Sequence, residues 1–291
     1  MSAAYQAWTR LPERPGQEAP PALAERRAGI EQARQAGLWR VQPPPTQERL
    51  GGVRALRFPS ADPSAPLVVH FHGGGFRQGC PEQIAPYAAR LAAKGGVEML
   101  CPAYRLAPEH PFPAGLNDAI SVIEAVAGRG KRRLILAGDS AGGALATSLA
   151  LLCVRQGFPL HGLILHSPWL DLTVSDDCYD RHADSDPIFS RTAAEEAAAL
   201  YLQGQDARNA LASPLLCPPD GLPPTFLSIG AGEVVAEDSH RFHAALVSRN
   251  IATTLFCVED MEHVAVVRDA GLVGATAVFQ ATVGFIRSLA P

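Results

Sequence analysis

The stretch Leu134 to Arg155 constrains this chain more than any other. It opens with Leu134-Ile135-Leu136-Ala137, a short apolar run suited to a buried strand, and closes with Ala144 to Arg155, rich in Ala and Leu, which predicts a helix. Between them stands Gly138-Asp139-Ser140-Ala141-Gly142-Gly143, which matches G-x-S-x-G. A strand can pass into a helix over so few residues only through a sharp turn, and small residues on both sides of Ser140 permit one. The serine is then forced out at the carboxyl end of the strand, near the positive end of the helix, where developing negative charge is favoured. An ordinary Gly-rich βα turn and a phosphate-binding loop are the other readings. The phosphate loop is disfavoured because there is no G-x-x-x-x-G-K-[ST] and no Lys at the turn.

With 291 residues, 47% hydrophobic and 19% charged, the chain has a globular composition and can bury one substantial core. The net charge of -4 and pI near 6.1 argue against nucleic acid as a partner. The one basic run, Lys131-Arg132-Arg133, reads as a solvated strand entry. Cysteines at 80, 101, 153, 178, 217 and 257 show no C-x-x-C or metal-finger spacing, and Cys101, Cys153 and Cys257 fall in apolar runs that predict buried thiols. With no apolar h-region at the N-terminus and no stretch of 18 apolar residues, the expectation is a soluble cytoplasmic protein without a membrane partner.

Along the chain, residues 1–45 are rich in Pro, Arg and Gln. They hold one expected helix, Ala22 to Ala36, started by Pro20-Pro21 and ended by Gly37, and then the stiff break Pro43-Pro44-Pro45. This reads as an N-terminal cap segment ahead of a body spanning 46–291. Strands are expected at Val53 to Phe58, Leu67 to Phe71, Val97 to Cys101, Leu163 to Leu165, Thr225 to Gly230 and Thr253 to Val258. Helices are expected at Ile84 to Lys94, Pro113 to Gly128, Thr192 to Leu202, Glu237 to Asn250 and 272–289. This alternation predicts an α/β fold with a mostly parallel sheet. Residues 172–215 are polar and irregular and read as an insertion. Their acidic residues, including Asp176, Asp177, Asp184 and Asp186, match no Ca²⁺ loop and are read as solvated.

Two other stretches carry chemistry. His72-Gly73-Gly74-Gly75-Phe76 follows a strand at once, and three glycines let backbone N–H groups converge on one point with no side chain in the way, as an oxyanion requires. Tyr104 to Ala114 is a Pro-rich loop in which Arg105, Glu109 and His110 read as a polar network rather than as catalytic groups. A serine needs a base, and the base an orienting acid. Ser140, Glu233 and His263 each follow a different expected strand, in the order Ser, Glu, His. Of the other histidines, His70 lies within a strand, His72 precedes the glycines, His161 opens a strand, His166 closes one, and His240 and His243 are on a helix. Glu237 and Asp238 are rivals to Glu233, but they fall in the following helix.

The motifs His72 to Phe76, Tyr104 to Ala114, Gly138 to Gly143 and Ser167-Pro168-Trp169-Leu170-Asp171 resemble the hormone-sensitive-lipase branch of the α/β hydrolases over about residues 50 to 290. The resemblance implies an α/β-hydrolase fold with a central sheet flanked by helices and a small helical cap, and a carboxylesterase with Ser140 as nucleophile and His263 as base. It also implies an oxyanion hole from Gly73, Gly74, Gly75 and the N–H of Ala141. The segment before the sheet and the 172–215 insertion would cover the acyl pocket. Phe76, Ile188, Phe189 and Tyr201 are its expected lining, and Tyr5, Trp8, Leu11, Leu23, Ile30, Leu38 and Trp39 are expected to bury near the crevice above Ser140. Where the family commonly has Asp-Pro-Leu-x-Asp, this chain has Glu233-Val234-Val235-Ala236-Glu237. The implied substrate is a small, short-acyl ester, with no metal or organic cofactor, and a homodimer is left open. A lactone hydrolase or amidase would use the same groups, whereas a non-catalytic homologue would normally have lost one of them. Ser140→Ala should reduce ester hydrolysis on the order of 10³-fold or more with the fold retained, which kcat and a circular-dichroism melt will check together.

Overall fold

The computed structural model of the chain describes residues 8–129 and 133–289. Lys131 and Arg132 of the basic run, and Tyr5, lie outside them. The strands are β1 (Thr46–Leu50), β2 (Val53–Phe58), β3 (Leu67–Phe71), β4 (Glu98–Pro102), β5 (Leu134–Asp139), β6 (Gly162–His166), β7 (Thr225–Gly230) and β8 (Thr253–Val258). The helices are α1 (Pro21–Ala36), α2 (Ala85–Gly95), α3 (Ala114–Ala127), α4 (Ala141–Arg155), α5 (Cys178–Arg181), α6 (Arg191–Leu202), α7 (Ala236–Ser248), α8 (Ala265–Arg268) and α9 (Ala275–Ser288). The expected elements recur within a few residues. Strand β1, which the sequence did not single out, pairs antiparallel with β2 across Gly51-Gly52.

All eight strands form one sheet in the order β1-β2-β4-β3-β5-β6-β7-β8, parallel from β4 to β8. Strands β3, β5, β6 and β7 are buried at every position because helices cover both faces, which is why they read as unbroken apolar runs. Helices α3, α4 and α7 belong to the core on one face, and α2, α8 and α9 to that on the other. The chain runs from β3 outward to β4 on one side and continues from β5 toward β8 on the other. The direction of winding therefore reverses between β3 and β5, and a crevice opens at their carboxyl ends. The glycine loop follows β3 and Ser140 follows β5, so both enter that crevice.

Cys101 and Cys153 are buried as expected, but Cys257 is exposed. It lies on β8, the edge strand of the sheet, none of whose residues is fully buried.

The N-terminal segment divides into two parts, contrary to the expectation that its apolar residues gather above Ser140. Residues 8–17 form a strap along α3. Trp8 N–H donates to Glu124 (2.8 Å), Asn117 holds Leu11 through both its main-chain groups (3.0 and 2.8 Å), and Glu13 pairs with Arg105 (2.7 Å). The Trp8 ring packs edge-on against Phe158 at 6.0 Å. Phe158 follows the carboxyl end of the 15-residue helix α4, roughly 22 Å along its axis from Ser140. Helix α1 is the part that reaches the crevice: it seats Leu23 in full burial, and Gly37, left-handed at φ 78°, ends it as the sequence predicted. Leu38 is exposed. Trp8→Ala should therefore cost roughly 3 kcal/mol of stability, the usual penalty for truncating a buried Trp, while leaving KM unchanged. A thermal melt and initial rates on one ester will check this.

Candidate active site

The turn after β5 is held by close approach. A β-carbon on Gly142 would sit 2.1 Å from the Phe71 carbonyl oxygen, and one on Gly138 would sit 2.2 Å from that of Gly142, so both positions require glycine. Ser140 takes φ 51° and ψ -123°, a region that a residue with a side chain adopts only when its surroundings enforce it. Its N–H donates to His166 O (3.0 Å), and its carbonyl accepts from Gly143 (2.9 Å) and Trp169 (3.1 Å).

Ser140, His263 and Glu233 come together as one buried chain of hydrogen bonds. Ser140 Oγ lies 3.0 Å from His263 Nε2, and His263 Nδ1 lies 2.7 Å from Glu233 Oε2. A carboxylate can only accept, so the ring hydrogen belongs on Nδ1 and Nε2 is left to accept from the serine hydroxyl. Burial disfavours the imidazolium, but the hydrogen bond and charge of Glu233, with smaller help from Asp186 and Asp139, outweigh it and hold the His263 pKa above its ordinary value. The second oxygen of Glu233 accepts from Gly230 N–H (2.6 Å) and Ser167 Oγ (2.8 Å). Ser167 also accepts from Val264 N–H (3.1 Å), so it ties Glu233 to the residue after His263. Ser167 stands in the Ser167 to Asp171 motif, where nothing local marks this part for it. Its place at the end of β6, beside β5, was the available signal.

The rivals of Glu233 have other partners. Asp238 Oδ2 accepts from the N–H groups of Leu170 (2.6 Å) and Asp171 (3.0 Å), and burial pushes its pKa up to about 7 against those bonds. Glu237 faces Arg181 at 3.9 Å. Of the expected network, Arg105 pairs with Asp118 and Glu13, and Glu109 pairs separately with Arg27, while the His110 side chain is exposed and hydrogen-bonds to none of the described residues.

Asp139, just before the serine, organises the glycine loop. One oxygen meets His70 Nε2 (2.9 Å) and the other accepts from Gly73 N–H (3.0 Å). Gly73 therefore departs from its expected part in an oxyanion hole, since its donor is taken. The N–H groups of Gly74, Gly75 and Ala141 have no partner among the described residues. Tyr104 fastens the base of the loop, donating to His72 O (2.7 Å) and stacking on the His72 ring at 4.5 Å.

Ser140 opens into a cavity of about 730 Å³ whose walls include the glycine loop, Ile30 and Trp39 from the α1 region, Ile188 and Phe189 from the insertion, and Leu272. Phe76 and Tyr201, expected on this wall, are not part of it. Their rings stack on each other at 3.9 Å, with Phe112 edge-on to Tyr201, and all three are buried away from the cavity. No cluster of His, Cys, Asp or Glu among the described residues has the arrangement of a metal site, and no helix there is long and apolar enough to cross a membrane.

Residues 68–267 match the family described as alpha/beta hydrolase fold, and the chain belongs to that family. An esterase of Acinetobacter venetianus is 34% identical over 201 residues, 67% of this chain and 65% of that protein, so the match spans just under two thirds of its length. An acetyl-hydrolase of Streptomyces hygroscopicus is 31% identical over 68% of this chain and 67% of its own. The crystal structure of a hormone-sensitive lipase from a metagenome library superposes with a TM-score of 0.84 at 30% identity, covering 94% of this chain and 93% of that one. The likeness to the hormone-sensitive-lipase branch read from the motifs thus extends through the tertiary structure.

Glu233→Gln should lower kcat far more than Asp238→Asn or Glu237→Gln, on the order of 10²-fold or beyond, because only Glu233 touches His263. Steady-state rates on one ester for the three variants will rank them.

Proposed function

We propose that this chain is a serine carboxylic-ester hydrolase acting on small, short-acyl esters. The observation that carries this reading is the buried Ser140–His263–Glu233 chain opening on the unpaired N–H groups of Gly74, Gly75 and Ala141. Ser140 Oγ attacks the ester carbonyl while its proton passes to His263 Nε2. The carbonyl oxygen becomes an oxyanion, for which those N–H groups serve as donors. His263, now protonated and stabilised by Glu233, gives the proton to the leaving alkoxide, and the C–O bond of the ester breaks. Water then enters, loses a proton to the same nitrogen and releases the acid from Ser140. No step needs a metal or organic cofactor.

Ile30, Trp39, Ile188 and Phe189 give the substrate's carbon chain an apolar surface, and α1 with the insertion acts as a cap that keeps bulk water from the acyl-enzyme. Ester rather than amide chemistry is favoured by the relatives, an esterase and an acetyl-hydrolase by name. The test is a burst of coloured product from an activated aryl acetate, abolished by a serine-reactive organophosphate. No burst, or one indifferent to the organophosphate, would overturn the proposal. Because the base must be neutral to accept a proton, kcat/KM should fall as pH drops through the His263 pKa, which lies above the ordinary imidazole value. Deleting residues 1–40 should raise KM and lower kcat together, since α1 supplies both contact and shielding. Kinetics on short and long acyl esters will measure it.

A further inference from the structure

Asp186 lies in the polar insertion, where the sequence reads its acids as solvated, yet it is only 7% exposed. Oδ1 accepts from the N–H groups of Ile188 (3.0 Å) and Phe189 (2.9 Å), and Oδ2 accepts from Val234 N–H (3.0 Å). The first two bonds close a tight turn that lays the Phe189 ring nearly parallel to His263, with 5.5 Å between centres and 15° between planes. Trp169 stands edge-on to Phe189 at 5.5 Å. The third bond grips the residue next to Glu233. Two more contacts cross the same seam: Ser185 Oγ donates to Gly232 O (2.8 Å), and Cys178 Sγ to Glu233 O (3.6 Å). No cation pairs with Asp186 among the described residues.

A buried carboxylate with no cation is costly, and three backbone donors only partly offset the loss of water. Neutral side chains can also close turns of this kind, so a charge here calls for a reason beyond the turn. His263, on which the Asp186 charge acts and against whose ring Phe189 stacks, supplies it. We propose that Asp186 is a positioning residue for the acid–base pair: its carboxylate locks the Glu233 turn and the Phe189 face of His263 into one unit, and its charge supports the proton that His263 holds during reaction.

The charges that act on His263 include Glu233 from the turn after β7, which touches it, Asp186 from the insertion and Asp139 from the end of β5. On the α8 side Arg268 donates to His263 O at 3.4 Å, and its guanidinium is paired with Glu262 at 2.7 Å. Asp186 is among the charges that raise the His263 pKa, so removing it acts downward. The cap insertion is then more than a cover. It brings a further negative charge to the base and ties the pocket wall to the turn that carries the acid.

The catalytic part of this inference rests on the ester-hydrolase reading, but its electrostatic part does not, and the experiment separates them. The His263 imidazole is followed by NMR titration in the wild type, Asp186→Asn and Asp186→Glu, with the resonance assigned by its loss in His263→Gln. In parallel, kcat and KM for an aryl acetate are measured across pH. The Asn variant should show a lower His263 pKa, an acid limb of kcat/KM displaced to lower pH by the same amount, and a kcat reduced about tenfold with a smaller change in KM. The Glu variant, which keeps the charge, should hold the wild-type pKa. A His263 that titrates in Asp186→Asn as in the wild type overturns the proposal even if kcat has dropped, because lost packing alone would do that. Should the Asn variant not fold, Phe189→Leu tests the clamp from its other end, and a wild-type kcat there overturns it. A wild-type protein inert toward esters would sink the reaction reading, while the titration would still decide what Asp186 does to His263.

Discussion

The amino end of α4 approaches the end of β3 so closely that no β-carbon fits at Gly142. Much of the site depends on that contact. It presses the first turn of the helix against the strand that launches the glycine loop, and so puts Ala141 N–H beside the loop's own donors. It also leaves the chain no room to leave β5 except through a left-handed serine. Such a conformation costs of order 1–3 kcal/mol, and it persists because both flanking elements are buried in the core and cannot relax.

The buried acids near the site are each satisfied differently, and the differences assign their roles. Asp139 has a histidine and a loop N–H, which makes it a brace for the loop. Asp238 has two N–H groups and no cation close enough to offset its burial, so its pKa rises toward neutrality and it serves as an anchor for the turn after β6. Glu233 divides its oxygens between His263 and two fixed donors, which fixes it in direction. The donors from Gly230 and Ser167 take up the freedom of its side chain.

Two segments far apart in sequence meet over the cavity. Helix α1 brings Ile30 and leads to Trp39, and the insertion brings Ile188 and Phe189. Neither could hold its shape alone, for each buries little apolar surface of its own. The strap of residues 8–17 anchors the first to α3, and Asp186 anchors the second to the turn that carries Glu233.

What the sequence determined by itself was local. Period, glycine placement and chain order located nearly every strand and helix, the turn at Ser140 and the succession Ser140, Glu233, His263, because backbone dihedrals and side-chain periodicity are set by residues close together. What only the tertiary structure decided was partnership. Gly73 looks like Gly74 and Gly75 in the sequence, but Asp139, 66 residues on, takes its N–H. Asp186 looks like the solvated acids around it until Val234 is folded against it. Phe76 and Tyr201 look like pocket walls until they meet and bury each other. Trp8 looks like part of a lid until Phe158, at the far end of α4, claims it. In each case the deciding atom comes from a distant part of the chain, where neither propensity nor spacing carries information, and burial then fixes the choice by penalising every polar group left without a partner.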